Sequence, residues 1–304
     1  MNLAESLSPT PAGSNLRHLA LGFFDGLHLG HQRVILGGTT PHIPSATAVL
    51  TFREHPLSIL HPEKHPALIT GLTHKLRVLE RWNIGLTIAL PFNSTRSQQE
   101  PAAFLAELSS AFPSLQTLSV GPNWRFGKNR SGDVEMLAAW CSKSSITLDN
   151  PTPVLYEGER ISSSRIRTAI QSGKLSDASA MLGRPFTILG KVKTGEGRGH
   201  QIGFPTANLA TEDECLPPDG VYAGRAILPD GTPQLAAINL GTCPTFGGKN
   251  RNIEAHLPKF SGQLVGQEID LEFHRYLRPE KKFSDSRALS EQIQKDVQAV
   301  LTPS

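Results

Sequence analysis

Between residues 16 and 172, short apolar runs alternate with stretches whose apolar positions recur at helical spacing. Residues 19–21, 46–52, 86–91, 117–120 and 154–155 read as strands. Residues 31–36, 73–81, 101–111, 134–142 and 164–172 read as helices. Such alternation predicts a parallel sheet covered by helices, a Rossmann-like α/β domain whose ligand crevice lies at the carboxyl ends of the strands. A further helical stretch at 175–182 leads to Gly183-Arg184-Pro185, where the pattern changes. Beyond it, strand-like runs follow one another with little helix between them. Residues 221–228 and 234–240 flank Asp230-Gly231, a hairpin signal, and 253–257 and 268–273 add further strands. A closing helix at 285–301 places Leu289, Ile293, Val297 and Val300 at helical spacing. The second half is therefore expected to be an antiparallel β-barrel with a C-terminal helix. The domain reading is a flexible leader at 1–15, an α/β domain at 16–183 and a barrel domain at 184–304.

Composition narrows this picture little. A chain of 304 residues, 38% hydrophobic and 19% charged, has room for about two globular domains. A net charge of +3, spread without a Lys/Arg block, suits small anionic substrates better than a nucleic-acid track. Cys141, Cys215 and Cys243 are widely spaced, so neither a disulfide framework nor a zinc site is indicated, and a reducing cytoplasm fits. No stretch approaches a membrane span.

Candidate chemistry is concentrated first at Gly22-Phe23-Phe24-Asp25-Gly26-Leu27-His28-Leu29-Gly30-His31, directly after the first strand. A strand turning into a helix through a two-glycine loop offers unpaired N–H groups and a positive dipole end to an anion. His28 and His31 project from the same helix start, and Gly30 lets backbone approach a phosphate. A turn with two exposed histidines, or one leg of a metal site, is the competing reading. His55, His61, His65 and His74 are irregularly spaced among prolines and read as surface loop residues.

The string resembles the Gly-x-Phe-Asp-Gly-x-His-x-Gly-His signature of the HxGH nucleotidyltransferases, in the form found in bacterial bifunctional riboflavin kinase and FAD synthetase. Three further segments agree with that family. Residues 49–56 resemble its Thr-Phe-x-Pro-His-Pro strand end, with Glu54 in place of a proline. Residues 121–128 resemble its flavin and nucleotide loop, with Asn123 and Arg125 as polar ligands. Residues 161–167 resemble its Ile-Ser-Ser-Thr-x-Ile-Arg helix start, with Ser164 for threonine. Ser163 and Ser164 also suit a helix cap, and Arg167 lies within a turn of them, a combination that can hold a triphosphate.

The second half resembles riboflavin kinase over nearly its whole length. Residues 195–208 match its glycine-rich flap followed by Gly-Phe-Pro-Thr-Ala-Asn, with Gly195, Gly197, Arg198, Gly199, Gly203 and Pro205 toward the nucleotide. Glycine-turn N–H groups suit β- and γ-phosphates, and Thr206 and Asn208 supply neutral oxygens suited to Mg²⁺. Asn239 falls in a segment near the flavin and nucleotide, where Cys243 replaces a common arginine. Glu254 matches the family's presumed base, Arg278 a residue near the isoalloxazine or pinning the last helix, and Lys259 and Val265 are departures.

The resemblance implies two ATP- and Mg²⁺-dependent reactions. In the first domain a phosphate oxygen of FMN attacks the α-phosphorus of ATP. His28 and His31 donate to the charge that develops, with Gly22, Phe24, Asp25, Gly26 and Gly30 forming the nucleotide loop. In the second, Glu254 takes the proton of the riboflavin 5′-hydroxyl as it attacks the γ-phosphate. The expected partners are riboflavin, FMN and ATP, without nucleic acid or membrane, for a cytoplasmic monomer or weak oligomer. A transferase for another phosphorylated cofactor precursor, or a flavin-binding sensor, are the alternatives. Thr206-Ala207-Asn208 speaks against the first, and retention of His28, His31 and Glu254 against the second.

Overall fold

The computed structural model describes residues 2–9, 15–38, 42–195, 204–212, 214–242, 251–258, 260–281 and 283–302. It divides into two compact units, residues 1–163 and 164–304.

The first unit is built on a six-stranded sheet. Its strands are β1 (Asn2–Ala4), β2 (His18–Leu21), β3 (Thr47–Phe52), β4 (Leu86–Leu90), β5 (Thr117–Val120) and β6 (Thr147–Asp149), in the spatial order β1-β4-β3-β2-β5-β6 with every pairing parallel. Parallel strands are covered on both faces, and the burial here is correspondingly two-sided. On one face Leu19, Leu21, Leu50, Leu90 and Leu118 pack under α5 (Pro101–Ala111) and α6 (Val134–Lys143). On the other, Ala20 and Val49 pack under Val34 and Ile35 of α1 (Leu29–Leu36) and Val78 and Leu79 of α3 (Leu72–Arg81). The chain leaves β2 toward β3 on one side, and β5 lies on its other side. This reversal opens a crevice beyond Leu21 and Val120, which pair in register.

Most predicted elements of this unit are present to within one or two residues. Several additions, the edge strand β6 among them, were not legible. Residues Asn2–Ala4, inside the expected leader, add to the sheet by pairing with Leu86–Ile88 of β4. The helix α2 (Pro56–Leu60) starts on a proline, and α4 (Ser94–Ser97) is a single polar turn; neither carries an apolar period to read. Leu155–Tyr156 pairs with Glu159–Arg160 across Glu157 and Gly158, both at positive φ, as a small hairpin, β7 and β8.

The second unit opens with α7 (Ser163–Gln171, all but its first residue) and α8 (Leu175–Leu182), and α8 packs on the barrel strands β9 and β14. The barrel is closed and antiparallel: β9 (Phe186–Lys193), β10 (Thr206–Thr211), β11 (Gly220–Ile227), β12 (Pro233–Thr242), β13 (Arg251–His256) and β14 (Glu268–Arg278), in the order β10-β13-β12-β11-β14-β9. The predicted hairpin joins β11 to β12, with Gly231 at φ +85° and Asp230 accepting from the Thr232 N–H at 2.8 Å. Small Ala226 and Ala236 alternate with Ile188, Ile238, Leu271 and Phe273 in the buried interior. The C-terminal helix is Ser286–Leu301, capped by Asp285 through the Ala288 N–H. No described helix is long and apolar enough to cross a membrane.

Candidate active sites

The loop between β2 and α1 is held in a shape that few sequences tolerate. Phe24, Gly26 and Leu27 lie at φ +56°, +83° and +45°. Gly26 is needed there twice over, since a Cβ would also press on Ile69 at 3.1 Å. Asp25, 3% exposed, fixes the loop: Oδ1 accepts from the N–H groups of Ile69 at 2.8 Å and Thr70 at 3.1 Å, and Gly26 N–H donates to Thr70 Oγ1 at 3.0 Å. Expected at the nucleotide, the Asp25 side chain is thus a staple to the segment before α3. Gly22 continues the ladder by donating to the Leu50 carbonyl at 3.1 Å.

The helix starts two residues earlier than its apolar pattern indicated, so His28 is its N-cap. His28 Nδ1 accepts from the His31 N–H at 3.2 Å. The ring proton of the neutral imidazole therefore sits on Nε2, which makes that nitrogen a donor. The His31 ring stacks on His28 at 3.6 Å and 17°, and meets Phe24 edge-on at 5.3 Å. Gly30 makes the stack possible, because a Cβ would touch His28 Cε1 at 3.0 Å. Two imidazoles are thereby brought together over the first turn of a helix, where the dipole favours an anion.

On the other side of the crevice, Asn123 and Arg125 follow β5 and line a cavity of about 320 Å³ with Pro122, Trp124, Arg130 and Asp133. Arg125 Nη1 bonds Asp133 Oδ2 at 3.1 Å, and Asp133 also caps α6. Glu54, standing where a proline is usual, accepts the Phe92 N–H at 2.8 Å and so ties the ends of β3 and β4 together. Ser163 Oγ donates to the Asp25 carbonyl at 2.9 Å. Ser164 and Arg167 lie on α7, in the second unit.

Of the four histidines read as surface residues, His61 is exposed as expected, His55 and His65 are half-buried, and one is not at the surface at all. His74 is buried on α3. His55 caps α2 through the Leu57 N–H, and its ring lies edge-on to Phe23 at 4.7 Å and to His65 at 5.3 Å. Ring contacts that spacing does not reveal draw His55 and His65 partly inward.

In the barrel the candidate residues form a row across strands. Asn208 pairs with Glu254, and Glu254 with Asn239, so the three stand side by side on β10, β13 and β12. Thr206 lies two residues before Asn208 on the same face, while Ala207, Ile253, Ala255, Ile238 and Leu240 are buried on the opposite one. Asn252, which no sequence signal marks, donates through Nδ2 to Glu254 Oε1 at 2.7 Å and orients the carboxylate. The Pro205 carbonyl accepts from His256 Nδ1 at 2.8 Å, fixing the start of β10, and Gly195 lies against the Asn208 amide. Gly197, Arg198, Gly199, Gly203, Cys243 and Lys259 lie outside the described residues. Val265 is exposed in the turn before β14. Arg278 is a structural anchor: Nε and Nη2 bond the buried Asp296 at 2.9 and 2.7 Å, clamping the C-terminal helix to β14. A second cavity, about 660 Å³, lies between Phe204 and Glu291, Lys295 and Gln298 of that helix.

Comparison with known proteins agrees with both halves. A family model for FAD synthetase matches residues 12–165, and one for riboflavin kinase matches residues 182–302. A Haemophilus influenzae protein named bifunctional riboflavin kinase/FMN adenylyltransferase is 33% identical over 92% of each chain. A Bacillus subtilis protein of the same name is 34% identical over 93% of this chain and 91% of its own. A crystal structure described as a macrolide-efflux protein from Streptococcus pneumoniae superposes with a TM-score of 0.81 at 26% identity, covering 99% of both chains. With a nucleotidyltransferase loop at the crevice of one unit and a polar strand row on the barrel of the other, the chain belongs to the bifunctional riboflavin kinase/FMN adenylyltransferase family.

Proposed function

We propose a residue-level account of the two reactions of this enzyme, which phosphorylates riboflavin to FMN with its C-terminal half and adenylylates FMN to FAD with its N-terminal half. The observation that carries the account is that each half holds its own motif in a geometry suited to phosphate chemistry: stacked histidines on a helix start, and a carboxylate flanked by asparagines on a strand row.

In adenylyl transfer, a phosphate oxygen of FMN attacks the α-phosphorus of ATP and pyrophosphate leaves. His28 Nε2–H, His31 and the N-terminal N–H groups of α1 donate to the oxygens on which charge accumulates. Asn123 and Arg125, across the crevice, hold phosphate or ribose. Gly22, Phe24, Gly26 and Gly30 shape the backbone around the nucleotide, and Asp25 and Ser163 brace that loop. The assignment of Ser164 and Arg167 to ATP rests on the resemblance of their motif, which also counts α7 and α8 with a domain ending at residue 183.

In the kinase reaction, Glu254 takes the proton of the riboflavin 5′-hydroxyl as its oxygen attacks the γ-phosphorus and ADP leaves. Asn252 holds the carboxylate in place, and Asn208 and Asn239 border it. The neutral oxygens of Thr206 and Asn208 are the donor set expected for Mg²⁺, which binds through one or two protein oxygens and the phosphates it helps to neutralise. Separated thiols, with Cys141 and Cys215 both buried, fit a cytoplasmic enzyme.

Incubation of the protein with riboflavin, ATP and Mg²⁺ is expected to show riboflavin declining, FMN rising and falling, and FAD accumulating on chromatography. Tight flavin binding without turnover would contradict the account.

A further inference from the structure

A lysine lies on the buried face of α3. Lys75 is 1% exposed, and its Nζ donates to the Phe23 carbonyl at 2.5 Å and to Thr51 Oγ1 at 3.2 Å. The same ammonium lies 3.9 Å from the centroid of the Phe23 ring, which in turn meets His55 edge-on. Thr51 Oγ1 donates to the Phe23 carbonyl at 2.9 Å, so one carbonyl receives two donors. The end of β3, the face of α3 and the loop after β2 are tied together at this point.

Lysine is among the residues least often found fully buried, and an ammonium removed from water must be satisfied where it lies. A methionine of similar length would fill the space without that cost, so packing alone does not account for a cation here. What the ammonium grips is informative. Phe23 is the residue before the run of positive-φ positions, and the loop it starts ends on His28. Asp25 staples the middle of that loop and His28 caps its end; Lys75 and Thr51 fix its beginning. A fixed positive charge behind a loop that receives a triphosphate also adds favourable potential.

We propose that Lys75 is a positioning residue for adenylyl transfer. Its ammonium clamps the Phe23 carbonyl, sets the path of residues 23–28, and thereby aims the His28 ring. The proposal rests on the reading that the first domain transfers AMP from ATP to FMN.

The test is Lys75→Met in the full-length protein, assayed for FAD formation from FMN and ATP and for FMN formation from riboflavin. A misplacement of about an ångström in a phosphate-holding loop costs on the order of 10²-fold in rate. The expected result is a fall in the FAD-forming kcat of about 10- to 100-fold, with KM for ATP and FMN changed by less than about threefold and kinase activity within about twofold of wild type. An unchanged kcat in a folded variant would make the ammonium purely structural, and a raised KM at unchanged kcat would make it a ground-state binder; either overturns the proposal. Should Lys75→Met not fold, Thr51→Val decides, since it keeps the shape and removes the hydroxyl that accepts from Lys75 and donates to the same carbonyl, half of the clamp. A several-fold loss of kcat at constant KM supports the clamp, and no loss overturns it. Absence of FAD formation by the wild-type protein would instead defeat the underlying reading, before either variant is compared.

Discussion

The two units place phosphate chemistry on different parts of their scaffolds. In the parallel-sheet unit the groups proposed for the chemistry sit in the turns that leave β2 and β5, most of them within residues 22–31. In the barrel the groups stand on strand faces, and Asn208, Glu254 and Asn239 meet only because three strands pair in register. The first arrangement depends on loop conformation: positive φ at Phe24, Gly26 and Leu27, with Asp25 as staple. The second depends on ladder register, where a slip of one residue would turn every side chain of the row to the opposite face. The units should therefore fail separately.

The largest expected effects are on turnover. His28→Ala removes a donor to developing charge and is expected to lower FAD formation by about 10²- to 10³-fold while leaving riboflavin phosphorylation intact. Glu254→Gln removes a general base and is expected to lower FMN formation by about 10²- to 10⁴-fold while leaving FAD formation from supplied FMN intact. Parallel assays of both products check each variant. A shared loss would merge the two sites into one.

Next comes the clamp of the barrel unit. Arg278→Ala leaves the carboxylate of Asp296, 8% exposed, without its guanidinium. A cost of about 3 kcal/mol to the barrel is expected. The three tryptophans, Trp82, Trp124 and Trp140, all lie in the first unit, so their fluorescence should keep its urea midpoint while a far-ultraviolet transition moves to lower urea. A shift in the tryptophan transition would show the units to be coupled.

Acid should act on the other unit. His18 is buried at the start of β2, with Nδ1 3.3 Å from Thr47 Oγ1 and Nε2 2.8 Å from Ser119 Oγ. Burial, with the His42 ring 3.5 Å away, pushes its pKa from 6.5 down to about 3. His42 is lowered as well, chiefly by burial and despite Asp149, which also lies within reach of Ser119. Between pH 6.5 and about 3 the unfolded chain binds a proton at His18 that the folded chain does not. Stability is thus whole above pH 6.5 and falls as the pH falls, by about 2 kcal/mol from His18 between pH 7 and pH 5. Urea titrations read by tryptophan fluorescence should show this slope, and His18→Asn should remove about one proton from it.

The smallest expected effect is at the end of the chain. Asp285→Ala removes the cap of the C-terminal helix and should cost about 1 kcal/mol in the barrel unit alone, read from the same far-ultraviolet transition.

What was legible in the sequence follows the same division. The loop at residues 22–31 was readable because its glycines, carboxylate and histidines are contiguous, and the strands on either side are continuous apolar runs. The N-cap position of His28 was not, since Leu29 and Gly30 extend the helix ahead of its apolar period. Glu254, Thr206 and Asn208 were assigned through resemblance; no local pattern says that strands far apart in the chain set them side by side. Lys75 and Asn252 escaped because their work lies in tertiary contacts, a carbonyl on one side and a carboxylate on the other. Asp25 was read as a ligand, and Arg278 as a ligand or a pin for the last helix; each makes internal bonds, Asp25 within its loop and Arg278 to that helix.

The central claim is that two independent sites work in series on one chain. It is tested most directly by mixing purified His28→Ala and Glu254→Gln proteins with riboflavin, ATP and Mg²⁺. The account predicts FMN from the first variant alone, no flavin product from the second alone, and FAD from the mixture. A mixture that stops at FMN would contradict it.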